Sequence, residues 1–180
     1  MLIECGHVRA QTVAGAEYSF TPAIGRIAQL GTPREIVELY AELHSQKAET
    51  AARFILYTLC DQSDPSELLG WVDDVFHSGE MPPGEQIILA RHLMRHGIIG
   101  TAKQDRKGDG KFSQEFNASE YIGAAMIHLG MSRQEAECLS MTEFQQLFEI
   151  KFPDSNKHKD IATREEYMAA MKHFEDMRRG

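Results

Sequence analysis

The sequence predicts a mainly α-helical fold, a multi-helix domain with a short N-terminal β-hairpin. Three observations carry that expectation. One local signal, a Ser, Thr, Asp or Asn followed three residues later by Glu, occurs six times, each ahead of a helix-compatible pattern. The first residue of such a pair caps an orphan backbone N–H, and the glutamate reaches back to the cap's own N–H. The start of the chain reads differently, as two short runs around a glycine-containing turn. Apolar residues make up 42% of the 180 positions, enough to bury a core.

In chain order, "LIECGHVRAQTV" and "EYSFTP" flank "AGAE". A strand there places Leu2, Glu4 and Gly6 on one face and Ile3, Cys5 and His7 on the other. An isolated hairpin is marginal, so it should rest on helices or on another chain. Helices are expected over roughly 33–60 with a break near His44–Ser45, then 65–78, 84–97, 118–129, 133–139, 141–152 and 164–178. Their start signals are Thr32–Glu35, with Pro33 in the favoured first position, Asp64–Glu67, Asn117–Glu120, Ser132–Glu135, Ser140–Glu143 and Thr163–Glu166. Gly97 and Gly130 stand at expected helix ends, and Pro153 stops another helix. "GTAKQDRKGDGKFSQ" and "PDSNKHKDIA" lack apolar periodicity and read as a flexible loop, about 101–115, and a linker. The expected organisation is a hairpin plus helical domain over 1–152, then a linker and C-terminal amphipathic helix over 153–180.

Composition narrows the function. A net charge of -8 repels phosphate backbones and anionic membranes, so neither nucleic acid nor a membrane is expected as partner. Cys5, Cys60 and Cys138 lie far apart, with no CxxC pair, which fits a reducing cytosol; Cys60, after "FILYTL", reads as core. The N-terminus has no basic leader or long apolar stretch, and no apolar run approaches the roughly 20 residues that span a bilayer. A soluble, intracellular protein is the expectation.

Four motifs fail on their chemistry. "DRKGDGKFSQEF", from Asp105 to Phe116, imitates a calcium loop, with Asp109 and Gly110 in their places. Lys107, however, puts an ammonium where a carboxylate belongs, and Phe116 occupies the position of the bidentate glutamate. "LMRHG" carries the Arg–His–Gly of histidine phosphatases, but Arg95 and His96 fall at a helix end rather than after an N-terminal strand. His92 and His96 are spaced i, i+4 but lack a third ligand, so they read as a solvated basic helix end. "MSRQEAECLSMTEFQQLF" has helix-turn-helix spacing, yet its second helix carries Glu143 and Glu149 and no cation before Lys151. No catalytic residue, cofactor or metal is expected.

The stretch "FNASEYIGAAMIHLGMSRQEAECLSMTEFQQLFEIKFP", Phe116 to Pro153, resembles the C-terminal signature of small tail assembly chaperones of long-tailed bacteriophages. In that signature a helix ends in "LG(M/L)S", followed by "EA", "(L/M)(S/T)MTEF" and an amphipathic helix. "EYSFTPAIGRIAQLGTPREIVELYAELH" is similar to the hairpin, aromatic–x–Pro element and helix of the same proteins, and "ARHLMRHGIIGT" resembles an uncharacterised family encoded among phage tail genes. The resemblance implies binding rather than chemistry. Such chaperones keep the helical tape-measure protein soluble, help tail-tube subunits polymerise around it in the host bacterial cytoplasm, and are absent from the finished particle.

A surface that covers apolar helices reversibly suits methionine and aromatic stripes. Tyr167, Met171, Phe174 and Met177 form one such stripe, and the helix after "SMTE" adds Met141, Phe144 and Phe148 as partner-binding residues. The bland alternative is that the C-terminal stripe docks on the protein's own core. The expected partners are tape-measure and tail-tube proteins, with a homo-oligomer open through the hairpin edge. Two other functions are weighed: a phage structural or head–tail joining protein, and a small DNA-binding regulator.

Overall fold

The structure, a computed structural model, describes residues 3–72, 75–100 and 114–153. It is mainly α-helical with an N-terminal antiparallel hairpin. β1 (Val8–Gln11) pairs with β2 (Glu17–Phe20), Val8 opposite Phe20 and Gln11 opposite Glu17. The helices are α1 (Ile24–Ile27), α2 (Pro33–Glu42), α3 (Ala48–Leu59), α4 (Ser66–Leu69), α5 (Pro83–Met94), α6 (Ala118–Ala124), α7 (Arg133–Cys138) and α8 (Met141–Lys151). π-helical turns extend α5 over Arg95–Ile99 and α6 over Ala125–Leu129. A second, small hairpin joins β3 (Trp71–Val72) to β4 (Phe76–His77).

The chain divides into two compact units, Met1–Phe148 and Glu149–Gly180; of the second, the structure describes Glu149–Pro153. The core of the first unit gathers Phe20, Ile24 and Ile27 against Ile55, Leu56 and Leu59 of α3, Leu93 and Met94 of α5, and Met141 of α8. Burying such side chains contributes about 1.5–3 kcal/mol each. Polar ties orient the layers. Arg91 donates from Nε and Nη2 to the Leu43 carbonyl at 3.0 and 2.6 Å, satisfying a carbonyl at the end of α2. Arg26 donates to the Cys60 carbonyl at 2.7 Å and pairs with Asp61 at 2.9 Å, joining α1 to the end of α3.

The cap signals succeed unevenly. Thr32–Glu35 and Ser132–Glu135 form complete capping boxes. Ser140–Glu143 makes the same two bonds, at 2.8 and 3.2 Å. Asp64 instead turns the chain, accepting from the Ser66 N–H at 2.9 Å, and Asn117 spends its amide on Glu120 Oε1. Thr163–Glu166 lies outside the described residues, as do most of the calcium-like loop and the 164–178 helix.

Three expectations are corrected. The first strand begins at Val8, because Ile3–Cys5 is a 3-10 turn closed by the Gly6 N–H on the Ile3 carbonyl at 2.9 Å. Gly6 sits at φ +93 against His96 and Pro22, where no Cβ fits. The helix expected over 65–78 stops at Leu69. Gly70 at φ +78 redirects the chain into β3, held so close to the His77 carbonyl that a side chain there has no room. Gly97 does not end its helix. It lies inside the π-helical turn, close against Ile27, and Gly100 at φ +72 is the terminator. By contrast Gly130, in the left-handed conformation, caps the turn after α6, and α3 starts at Ala48 after the predicted break.

Candidate functional site

The sequence-derived site residues on α8 are spent on the interior. Met141 is 1% exposed and Phe144 8%, while Phe148 is partly covered. They continue an aromatic ladder in which Phe116 stacks on Tyr121 at 5.4 Å, Tyr121 meets Phe144 edge-on at 5.7 Å, and Phe144 meets Phe148 at 5.6 Å. Tyr167, Met171, Phe174 and Met177 lie outside the described residues.

The histidine pair is a correction in another direction. His92 and His96 are half-buried, not a solvated helix end, with ring centroids 4.6 Å apart. His96 Nδ1 lies 2.9 Å from the Thr142 hydroxyl, and His92 Nε2 is buried with no hydrogen-bond partner. Burial pushes both imidazoles below their ordinary value, helped by the Arg95 charge and, for His96, by His92 first. Among the described residues, no group of three or more His, Cys, Asp or Glu side chains is placed to hold a metal ion.

What the fold does bring to the surface is an aromatic patch on the outer face of α3. Thr50, Arg53, Phe54 and Tyr57 follow one another at i, i+3, i+4 and i+7, so they share that face. The Tyr57 hydroxyl donates to the Gly70 carbonyl at 2.7 Å and anchors the start of β3. That bond sets Trp71 beside α3, stacked on His77 at 3.9 Å. Arg53 lies over the Phe76 ring at 4.3 Å and pairs with Glu49 at 3.0 Å. Thr50, Arg53, Phe54, Tyr57 and Trp71 line an open groove of 420 Å³. Phe54 is 48% exposed, Trp71 41% and Phe76 44%, unusual freedom for three aromatics on neighbouring elements.

Phe54 also walls a second groove, of 280 Å³, on the side of α2. Leu30 and Leu39 supply its apolar floor, and Glu35, Glu38 and Glu42 its rim. Glu35 is held below the usual carboxylate range by the Thr32 backbone N–H and then its hydroxyl. Glu38 pairs with Arg34 at 2.8 Å and Glu42 with Lys47 at 3.3 Å, both in exposed positions.

A third cleft, of 320 Å³, lies at the hairpin, between His7, Arg9, Thr21, Asp61 and Glu143. Its charged groups hold the fold together. His7 Nε2 reaches Glu143 at 3.2 Å, tying the segment before β1 to α8, and Asp61 pairs with Arg26 and accepts from Thr21 at 3.2 Å.

The model of the family of unknown function DUF6246 matches residues 45–169. The chain belongs to that family. No curated protein and no solved structure matches it. Phe54, Trp71 and Phe76 fall inside the DUF6246 match, whereas the acidic rim on α2 and the N-terminal hairpin precede it. The aromatic patch escaped the sequence reading because Trp71 was assigned to a helix through 65–78. Gly70 beside Trp71, with Gly79 closing the segment, was the available hairpin signal.

Proposed function

We propose that this DUF6246 protein works by binding other proteins, as a tail assembly chaperone of a long-tailed bacteriophage that holds tape-measure or tail-tube subunits in the host cytoplasm. The observation that carries the reading is the exposed patch of Phe54, Trp71 and Phe76 on elements anchored to the core. Aromatic side chains dominate interface energetics, because each buries a large area at little cost in rotamer freedom. The resemblance of Phe116–Pro153 to the chaperone signature supplies the biological setting.

The test is co-expression with the tape-measure protein of the same genome, followed by pull-down and light scattering. A co-purifying, soluble complex that Phe54→Glu abolishes is the expected result. A complex lost only when Tyr167, Met171 and Phe174 are charged moves the binding site to the C-terminal stripe. An insoluble tape measure with nothing co-purified ends the chaperone reading, and recovery of the protein in purified particles replaces it with a structural role.

A further inference from the structure

We infer that the two grooves flanking Phe54 form one docking site for an amphipathic helix with an apolar face and a lysine- or arginine-rich flank. The inference rests on the reading that the protein acts by binding proteins, and it names the chemistry of the partner. Phe54 stands as a ridge with a 420 Å³ hollow on one side and a 280 Å³ hollow on the other. Helix-in-groove recognition uses apolar anchors at i, i+3, i+4 and i+7, and anchors one turn apart would straddle such a ridge. Tyr57 and Trp71 receive them on one side, Leu30 and Leu39 on the other.

Charge decides which helix fits. Glu35, Glu38 and Glu42 recur at i, i+3 and i+7 along α2, so their carboxylates are strung over about 10 Å of helix axis. Cations on a partner helix at the same spacing meet them one for one. The existing partners of Glu38 and Glu42 are exposed surface pairs, worth about 0.2–1 kcal/mol, which an incoming cation can replace. The opposite wall offers no competing attraction for an acidic partner. Its one cation, Arg53, is 15% exposed, paired with Glu49 and laid over Phe76. An acidic helix would face three carboxylates, an arrangement that discriminates by repulsion as well as attraction.

Trp71 is the chain's one tryptophan and lines the groove, so its emission reports occupancy directly. The full-length protein is titrated with a synthetic, tryptophan-free helical peptide carrying a Leu/Met face and a Lys flank. The same peptide with Glu for Lys is the control. The expected result is a saturable blue shift with protection from iodide quenching. The Glu peptide binds about tenfold more weakly or worse, and the gap narrows as salt rises. Glu38→Lys with Glu42→Lys reverses the preference. Phe54→Glu removes binding while the circular dichroism and urea midpoint stay as in the parent.

Equal affinity for both peptides, an unmoved Trp71 emission, or full binding by Phe54→Glu overturns the proposal. So does a concentration-dependent dimer that Phe54→Glu dissolves, which gives the groove to a second copy. The titration contains no phage protein. Its failure beside a successful tape-measure pull-down moves the partner elsewhere, and the converse keeps the groove but removes the tape measure as its occupant.

Discussion

α3 and α8 both look amphipathic in sequence, each with aromatic residues spaced to share a face, yet the fold treats them in opposite ways. Phe144 on α8 is covered by Tyr121 and Phe148, while Phe54 on α3 is left 48% exposed between two hollows. An apolar stripe therefore marks a surface that something must cover, and only the neighbours reveal whether the chain itself does so. Around α8 the aromatic ladder from Phe116 supplies the cover. Around Phe54 the nearest elements, α2 and the β3–β4 hairpin, stand to either side of it.

The comparison breaks first on stability. Phe144→Ala should cost about 3 kcal/mol or more, as emptied core positions do, whereas Phe54→Ala should stay within about 1 kcal/mol. Urea titration of both variants checks this, and similar losses would mean that Phe54 is core too. Gly70→Ala comes next, at about 1–3 kcal/mol, because φ +78 and the His77 carbonyl leave no place for a methyl group. It should also loosen Trp71 and raise its iodide quenching. Unchanged quenching would detach the hairpin from the groove's geometry.

A pH series sharpens the contrast between buried and surface groups. Burial lowers His92 and His96 in the folded state, so the unfolded chain takes up protons first. Their contribution is complete above the ordinary imidazole value of 6.5 and is lost as pH falls through the lowered folded values. The urea midpoint should drop between about pH 7.5 and 5.5, and less so in His92→Gln with His96→Asn. Equal slopes in parent and variant would assign the pH dependence to other groups. The smallest effect separates two cap signals that look alike. Ser132→Ala should cost about 1 kcal/mol, and Asn117→Ala no more than about 0.5 kcal/mol, since the Asn117 side chain caps nothing. Thermal denaturation distinguishes them.

Helices proved legible where two local signals agreed. At Thr32, Ser132 and Ser140 the cap residue, the glutamate and the following apolar period point the same way, and the backbone obeys. Around Gly70 they conflicted. Leu68, Leu69, Trp71, Val72, Val75 and Phe76 satisfy a helical period, but the glycine's positive φ, set by a contact nine residues away at Gly79, decides the path. The exposed patch was illegible for the same reason. Exposure of Phe54 depends on how α2 and the second hairpin are placed, which is tertiary information that no window of sequence holds. Met141 and Phe144 were misjudged in reverse, because the ladder that covers them begins at Phe116, far upstream in the chain.

The two π-helical turns have a consequence best put in terms of inheritance. Each is a wide turn, closed in the first case by the Gly100 N–H on the Arg95 carbonyl at 2.8 Å, and it holds one residue more than an α-helical turn needs. Such a turn is what a single-codon insertion leaves behind when a helix absorbs it without changing its axis. Deleting one residue within Arg95–Ile99 should restore ordinary α geometry and swing everything after it by about 100°. The Ile99 carbonyl would then leave its bond with Gln145, and one lost codon would separate α5 from α8.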